Sequence, residues 1–432
     1  MSKVLKPIPD TEKRPGYKHT KLGWIPEDWE IFRFDEVFQF IPTYSYSRNQ
    51  LIKCQPNDND IFNIHYGDIH TSFHNEQLDF DKDIEVASLL NPVIDIKKLK
   101  LLKEGDLVIA DASEDYEGIC DAIELKNVRN RKIIGGLHTF AVRDKNGLTA
   151  NGYRGFIFKN EIVKHNLKRV ATGISVLGVS KSNISKILIP LPSPSEQVVI
   201  SKVLLKWDSA ITKLNELIKA KQKSKKGLMH LLLTGKKRLP GFDGEWQEQK
   251  LSVFFTERKE TNRDDLELLS IGEAGVYPQS LSNKKDTSNN DKSKYKRICP
   301  GDIGYNTMRM WQGRSALSHL EGIVSPAYTI VKPKEEADSV FFSYFFKVPS
   351  VVHKFYRNSQ GLVSDTLNCK FKDFAMVKVL LPKNKDEQTA IAQILSAADK
   401  EIYLLKEQLE QLEQQKRGMM QQLLMGKERL PL

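Results

Sequence analysis

The chain has 432 residues, of which 40% are hydrophobic and 28% are charged, and its formal net charge is +11. This length allows two to four domains, the composition excludes wholesale disorder, and the excess of Lys and Arg suits a polyanionic partner. No run of about 18 apolar residues occurs, and residues 1–16 lack the apolar core of a signal peptide. We therefore expect a cytoplasmic protein without membrane contact.

The first part of the chain is predicted to contain an N-terminal tail, residues 1–20, and a globular domain, residues 21–192. The apolar, β-rich run 106–110 predicts a strand, and the spacing of residues 162–170 predicts a helix. The first domain is therefore expected to be mixed α/β.

A long helix is predicted next, at residues 193–235. Ser193 and Glu196 stand at the spacing of a capping box, and Pro194 suits the first helical position. Gly235 is typical of the residue that ends a helix.

A second globular domain is predicted at residues 236–383. Its runs 323–324 and 328–331 predict strands, and residues 341–346 predict a helix. This domain is also expected to be mixed α/β.

The second half of the chain repeats the first at an offset of 191 residues, most clearly in a second predicted helix within residues 384–432. Glu196-Gln197 corresponds to Glu387-Gln388, and Arg238-Leu239-Pro240 corresponds to Arg429-Leu430-Pro431. The match runs without a gap between these points. We interpret it as the duplication of a unit made of one globular domain and one long helix.

Apolar residues recur at three- and four-residue spacing in both helices, as in the seam of a coiled coil. The predicted seam consists of Leu204, Trp207, Ile211, Leu214, Ile218, Leu395, Ile402, Leu405, Leu409 and Leu412. Between Glu196 and Arg238 there are 11 Lys or Arg against 3 Asp or Glu, a charge of +8, whereas between Glu387 and Arg429 there are 6 against 7, a charge of −1.

Because helices with matching seams and unlike charges attract each other, we expect these two to pair as an antiparallel coiled coil. The alternative is that each helix packs separately on its own domain. The predicted fold is thus mixed α/β (α+β), with two globular domains, two long paired helices and a pseudo-two-fold internal repeat.

Loops that mix Arg or Lys with aromatic or small polar residues are the candidates for DNA contact, since such side chains grip phosphates and read base edges. The candidates are Tyr44, Tyr46, Arg48, Arg129, Arg131, Lys132, Ser180 and Lys181 in the first half, and Lys294, Lys296, Arg297, Arg309, Trp311, Gln312 and Arg314 in the second. Any one of these loops taken alone is more often a solvated surface loop. Together they are more persuasive, because they lie between the segments that the two halves share.

The sequence contains no phosphate-binding, amino-methyltransferase, zinc-protease or serine-hydrolase motif, and its four cysteines are far apart without metal-ligand spacing. Asp111, Glu124 and Lys126 follow the Asp…Glu-x-Lys pattern that places carboxylates around Mg²⁺ in nucleases. That pattern is short and common by chance. An endonuclease with this site is therefore kept as the alternative to a protein without a catalytic site.

Three motifs frame the first half of the chain and return, in varied form, in the second: Gly-x-Ile-Pro-x-x-Trp at residues 23–29, Pro-Leu-Pro-x-x-x-Glu-Gln at 190–197 and Leu-Leu-x-Gly-Lys-x-Arg-Leu-Pro at 232–240. This arrangement resembles the specificity subunit of Type I restriction–modification systems, over residues 23–431. The resemblance implies a non-catalytic subunit of a bacterial or archaeal system.

In such a subunit each globular domain would be a target-recognition domain that reads one half of an asymmetric, bipartite site in double-stranded DNA. The paired helices would set the spacing and dock two modification methyltransferase subunits, which would bring S-adenosylmethionine. Restriction subunits, joined through the complex, would use ATP and Mg²⁺. The resemblance implies no cofactor on this chain itself.

Overall fold

The structure is a computed structural model that describes residues 14–73, 75–82, 84–90, 96–272, 275–282, 291–363 and 366–431. The chain divides into two compact units: unit 1 comprises residues 1–213 and 409–432, and unit 2 comprises residues 214–408. Among the described residues, no helix is long and apolar enough to cross a membrane. Residues 1–13 of the predicted N-terminal tail lie outside the described residues, and the rest of that segment includes a strand.

The strands of unit 1 are β1 (Tyr17–Thr20), β2 (Gly23–Pro26), β3 (Glu30–Arg33), β4 (Phe38–Ile41), β5 (Leu51–Cys54), β6 (Ile61–Ile64), β7 (Gln77–Asp79), β8 (Val86–Leu89), β9 (Leu107–Ala110), β10 (Ala112–Ser113), β11 (Ala122–Lys126), β12 (Lys132–Gly135), β13 (Thr139–Asp144), β14 (Leu177–Gly178) and β15 (Leu188–Leu191). Its short helices are α1 (Phe34–Val37), α2 (Tyr66–Thr71), α3 (Arg154–Ile157), α4 (Glu161–Val170) and α5 (Lys181–Ile184).

Unit 1 contains two larger sheets, with the strand orders β4-β13-β9-β11-β7 and β12-β6-β8-β5. The strand β9 is buried at every position because it lies in the middle of the five-stranded sheet. Strands β3 and β15 pair separately and lead into the first long helix. The strand and helix predicted from residues 106–110 and 162–170 are confirmed as β9 and α4.

The strands of unit 2 are β16 (Gln247–Lys250), β17 (Phe255–Glu257), β18 (Leu269–Gly272), β19 (Gly275–Pro278), β20 (Lys296–Ile298), β21 (Ile303–Asn306), β22 (Ser315–Leu317), β23 (Gly322–Val324), β24 (Tyr328–Pro333) and β25 (Lys378–Leu381). Its short helices are α7 (Ser339–Phe345), α8 (Pro349–Asn358) and α9 (Phe371–Met376). The central sheet has the order β17-β24-β21-β22, and β16 pairs with β25 as β3 does with β15. The predicted strands and helix of this half are confirmed as β23, β24 and α7.

The two long helices are α6 (Pro194–Leu232) and α10 (Lys385–Leu424). The Ser193 hydroxyl accepts the Glu196 N–H at 3.3 Å, as the capping box predicts. The Glu196 carboxylate binds Trp29 and Arg429, so it connects the start of α6 to distant parts of the chain.

The two helices run antiparallel where they meet inside each unit. In unit 2, Lys221 binds Glu401 at 2.6 Å and Lys225 binds Asp399 at 2.5 Å. The residue number of the α10 partner decreases as that of the α6 partner increases, as in an antiparallel pair. In unit 1, Ile200 and Leu204 of α6 share a core with Met420, Leu423 and Leu424 of α10. All ten predicted seam residues are buried or partly buried.

Candidate DNA interface and its helical supports

Each unit ties the start of one long helix to the end of the other through one buried carboxylate. In unit 1, the Glu196 carboxylate accepts bonds from Arg429, at 2.6 and 2.9 Å, and from the Trp29 indole N–H at 3.2 Å. Arg429 also binds the Asp28 carboxylate through both terminal nitrogens of its guanidinium group and thereby lowers the pKa of Asp28. The Trp29 ring is 1% exposed, so this carboxylate fixes the first domain against the helix start.

Unit 2 repeats this arrangement with the residues at the repeat offset. The Glu387 carboxylate accepts from Arg238 at 2.7 and 2.8 Å and from the Trp246 indole N–H at 3.2 Å. A bidentate Arg–carboxylate pair fixes direction as well as distance. The repeated Glu and Arg of the sequence therefore form the joint between domain and helices in both units.

The glutamine that follows each of these glutamates binds the domain backbone. Gln197 accepts the Ala150 N–H at 2.7 Å and donates to the Leu148 and Pro192 carbonyls. Gln388 likewise accepts the Asp338 N–H at 3.0 Å and donates to the Glu336 and Pro382 carbonyls. Both glutamines are fully buried, so their amides satisfy loop backbone that would otherwise be unpaired.

An Asp–Lys pair lies between the two helices in each unit. In unit 1, the Lys416 ammonium binds Asp208 at 2.5 Å and Glu76, from the first domain, at 3.1 Å, and all three residues are buried. Burial and the charge of Glu76 raise the pKa of Asp208. Burial opposes the charge on Lys416, but the two carboxylates outweigh it and raise the pKa of Lys416.

The corresponding pair in unit 2 is Lys225 with Asp399, and its third partner is a phenol. The Tyr344 hydroxyl donates to Asp399 at 2.6 Å, and the Lys225 ammonium lies 5.2 Å from the Tyr344 ring centroid. The seam was predicted to be apolar, so the charged pair between the helices was not predicted in either unit. The repeat offset, which relates Asp208 to Asp399 and Lys225 to Lys416, was the feature that could have revealed it.

The candidates Tyr44, Tyr46 and Arg48 lie in one stretch after β4. Tyr44 and Tyr46 pack on a small core cluster, and the Tyr44 hydroxyl accepts the Lys100 N–H at 2.9 Å. Arg48 is exposed and lies 3.5 Å from the buried Asp68 carboxylate. Of these three residues, Arg48 is the most available for a partner.

The candidates Arg129, Arg131 and Lys132 are engaged within the domain to different degrees. Arg129 and Arg131 both form ion pairs with Asp81, and Arg131 also donates to the Asn127 carbonyl at 2.9 Å. The Lys132 ammonium donates to the Asn59 carbonyl at 3.3 Å. Arg131 is 13% exposed, so its role in the fold limits its reach to a partner.

Ser180 and Lys181 begin the short helix α5. The Ser180 hydroxyl accepts the Asn183 N–H at 3.2 Å and caps this helix. The Lys181 ammonium lies 4.3 Å from the Phe40 ring centroid, yet the residue remains exposed. Lys181 thus presents a cation beside an aromatic face.

In unit 2, the candidates around β20 are mostly occupied. Arg297 binds Glu260 and Glu321, each at 2.6 Å, and the Lys296 ammonium donates to the Tyr328 carbonyl at 2.7 Å. Lys294 is exposed.

The loop 308–314 is the most available of the candidate loops. Arg309, Gln312 and Arg314 are exposed, and neither arginine forms an ion pair with any of the described residues. The Trp311 indole donates to the Met308 carbonyl at 2.9 Å and its ring meets Tyr356 edge-on. Two free guanidinium groups on an anchored loop suit contact with phosphates and base edges.

The nuclease alternative, Asp111, Glu124 and Lys126, does not form a site. In the antiparallel pairing of β11 with β9, Glu124 lies opposite Leu107. Asp111 follows Leu107 by four residues, a separation of about 13 Å along an extended chain. The Glu124 carboxylate accepts the backbone N–H groups of Gly152 and Arg154 at 2.6 and 3.0 Å. In the part of the chain that the structure describes, no three His, Cys, Asp or Glu residues are placed to hold a metal ion.

The chain is thus a duplicated protein in which each compact unit joins one α/β domain to the start of one long helix and to the end of the other. The family of the Type I restriction modification DNA specificity domain matches residues 26–222 and 245–414. Because these two matches cover most of the chain, the protein belongs to this family.

Two curated relatives come from Methanocaldococcus jannaschii. The chain is 25% identical over 446 residues to the MjaX type I restriction enzyme specificity subunit, covering 97% of this chain and 98% of the relative. It is 22% identical over 449 residues to the MjaVIII specificity subunit, covering 97% of each.

Two solved structures share the fold. The S subunit of a Type I restriction–modification system from M. genitalium has a TM-score of 0.51 at 13% identity, covering 91% of this chain and 96% of that one. A chain from a study of complex assembly and conformational transition in the type I R-M system has a TM-score of 0.53 at 15% identity, covering 94% and 99%.

Proposed function

We propose that this chain is the sequence-reading subunit of a Type I restriction–modification enzyme and that it performs no catalysis. Each globular domain reads one half of an asymmetric, bipartite site in double-stranded DNA. The observation that supports this best is that the helix anchors of the two units repeat residue by residue, while their candidate DNA loops differ. A shared frame with unlike loops is suited to reading two unlike half-sites, whereas a symmetric dimer reads a palindrome.

The helices act as a spacer and as the docking surface of two modification methyltransferase subunits. The ion pairs between α6 and α10 in each unit support a fixed register of the two helices. The partners supply S-adenosylmethionine for methylation, and restriction subunits supply ATP- and Mg²⁺-dependent steps. This chain supplies the recognition of the target and binds none of those cofactors.

The test is selection of bound duplexes from a randomised DNA pool by the full chain assembled with methyltransferase subunits. We expect two enriched sequence blocks separated by a gap of fixed length and free sequence. Exchange of residues 21–190 for the same segment of a relative with another target should change one block only. The matched exchange in the second domain should change only the other block. Enrichment of no bipartite site, or joint change of both blocks, contradicts the proposal.

The spacer role has a separate test. Deletion of one heptad from α6 together with the facing heptad from α10 shortens the pair by about 10 Å. Since DNA rises about 3.4 Å per base pair, the preferred gap should shorten by about three base pairs. Deletion from α6 alone breaks the register and serves as the control. An unchanged gap after the paired deletion refutes the spacer role.

A further inference from the structure

Each unit presents one large aliphatic side chain fully to solvent, at the same place in the repeat. Ile174 is 102% exposed and Leu362 is 101% exposed, more than any other large apolar side chain among the described residues. Gly173, at φ 131°, precedes Ile174, and Gly361, at φ 149°, precedes Leu362. We call Ile174 and Leu362 the apolar tips.

The chain around each tip is tied at its base. Thr172 and Gly178 exchange two backbone hydrogen bonds, at 2.9 and 2.7 Å, on either side of Ile174. Gln360 and Asn368 exchange two, both at 2.8 Å, on either side of Leu362. Residues 364–365, between these last two, lie outside the described residues.

The next residue along the chain ties each base to the central sheet. The Val179 N–H binds the Asp111 carbonyl just after β9, and the Cys369 N–H binds the Thr307 carbonyl just after β21. The second tip is therefore anchored beside the loop 308–314, where the free arginines lie.

The glycines before the tips are required by the geometry. A Cβ at Gly173 would lie 1.9 Å from the Val176 carbonyl oxygen, and one at Gly361 would lie 2.7 Å from the Thr366 carbonyl oxygen. Both φ values are also strained for any other residue. The two units therefore use the same backbone device to hold an aliphatic side chain away from the domain, although their loop sequences differ.

Positive charge surrounds both tips in the sequence. Residues 162–195 contain five Lys or Arg and no Asp or Glu, and residues 341–382 contain six against two. Arg169 and Lys181 are exposed near the first tip in sequence, and Arg357 and Lys370 near the second. Cations close to an apolar tip along the chain suit a nucleic acid, in which phosphates flank apolar base surfaces.

We propose that Ile174 and Leu362 enter a DNA groove and make apolar contact with bases, one tip in each half-site. This inference rests on the proposed function and specifies how each domain contacts its half-site. The flanking cations hold the phosphates, and the aliphatic side chain contacts a base methyl group or an unstacked base step, as apolar side chains do in other DNA-binding proteins.

The test uses the full chain assembled with methyltransferase subunits and the duplex enriched by the wild-type assembly. Ile174→Ser and Leu362→Ser should each weaken binding by about 5-fold or more. Repeated selection with each variant should show a relaxed base preference in one sequence block only. For Ile174→Ser this is the block that changes when residues 21–190 are exchanged. For Leu362→Ser it is the other block. Ile174→Leu should retain binding. Val253→Ser, which alters an aliphatic residue that is 40% exposed and lies in another segment of the chain, is the control.

The outcomes separate the two proposals. If the wild-type assembly enriches no bipartite site, both the function and the tips are wrong. If it does, and the two serine variants bind that duplex like Val253→Ser, the tips alone are wrong. Loss of methyltransferase subunits on gel filtration with unchanged DNA affinity would reassign the tips to a protein contact. Thermal unfolding of each variant should match the wild type, because the altered side chains are exposed.

Discussion

The two units share their helix anchors but differ in the domain that those anchors hold. Unit 1 has a five-stranded and a four-stranded sheet, whereas the largest sheet of unit 2 that the structure describes has four strands. The Glu–Arg–Trp joint and the buried Gln recur in both units in spite of this. The comparison teaches that the joint to the helices constrains sequence much more strongly than the interior of the domain does.

The Asp–Lys pair between the two helices recurs in both units, but its third partner comes from the globular domain and differs between them. The third partner is the Glu76 carboxylate in unit 1 and the Tyr344 phenol in unit 2. Unit 1 therefore buries two carboxylates around one ammonium, while in unit 2 the Asp399 side chain is 46% exposed. The same pair thus differs in how much each unit depends on its lysine.

The largest effect on stability is expected from replacing the lysine of this pair in unit 1. Lys416→Met leaves Asp208 and Glu76 buried without a cation and should lower the free energy of unfolding by about 3–5 kcal/mol. Lys225→Met leaves a half-exposed Asp399 and should cost about 1 kcal/mol or less. Urea unfolding of the full chain, followed by circular dichroism, measures both.

The control for this pair is Lys400→Met, which removes an exposed lysine of α10. The triple variant Lys416→Met, Asp208→Asn and Glu76→Gln should recover much of the loss, because no buried charge remains unpaired. Equal losses for Lys416→Met and Lys225→Met would contradict the difference between the units.

A second effect is confined to unit 1. Burial raises the pKa of Glu124 to about 7, against the two backbone N–H bonds and Arg154, which lower it. Between the unfolded value of 4.5 and about 7, Glu124 is therefore more protonated in the folded than in the unfolded chain, so its contribution to stability increases as the pH falls through this window. Unit 2 has Leu317 at the matching register position, opposite Ile303.

Glu124→Gln should therefore flatten the pH dependence of the melting temperature between pH 4.5 and 7, by the equivalent of about 2 kcal/mol. Glu117→Gln, at a side chain that is 84% exposed, should leave the profile unchanged. A wild-type protein whose stability rises with pH in this window relative to Glu124→Gln would show that the sign is wrong.

A third effect separates free from occupied arginines within unit 2. Arg309→Ala and Arg314→Ala should each weaken binding to the second half-site by about 1–3 kcal/mol, without changing stability. Arg297→Ala should weaken it less, since Glu260 and Glu321 already hold that guanidinium. Binding to duplexes altered in one block at a time checks this, and an even loss over both blocks would argue against the assignment.

The smallest effect concerns the two helical glycines, Gly227 and Gly418. Each is exposed, and a Cβ at either would meet nothing within 4 Å. Replacement by Ala should raise stability by up to about 1 kcal/mol at each position. Thermal unfolding measures the gain in stability. A gain at only one of the two glycines would contradict the prediction that both positions are equally open. Loss of methyltransferase binding in a stabilised variant would place a partner at that glycine.

The prediction of DNA contacts shows how far residue patterns reach. The sequence marked loops rich in cations and aromatics, and the structure separates them by what each cation already binds. Arg131 and Arg297 are held by carboxylates, whereas Arg309 and Arg314 are free of ion pairs among the described residues. Availability of a charge depends on neighbours that lie far along the chain, and a single loop does not reveal them.

Patterns in the amino-acid sequence were enough to predict the duplication, the two long helices and several strands. Helical spacing and caps are local patterns, and the duplication follows from comparing the chain with itself. The sheet orders and the partners of the buried charges became apparent only in the folded structure. Glu196 meets Arg429 across 233 residues, and Lys416 meets Glu76 across 340. Such contacts form only when distant segments are brought together by burial of the domain cores, so no local pattern in the sequence records them.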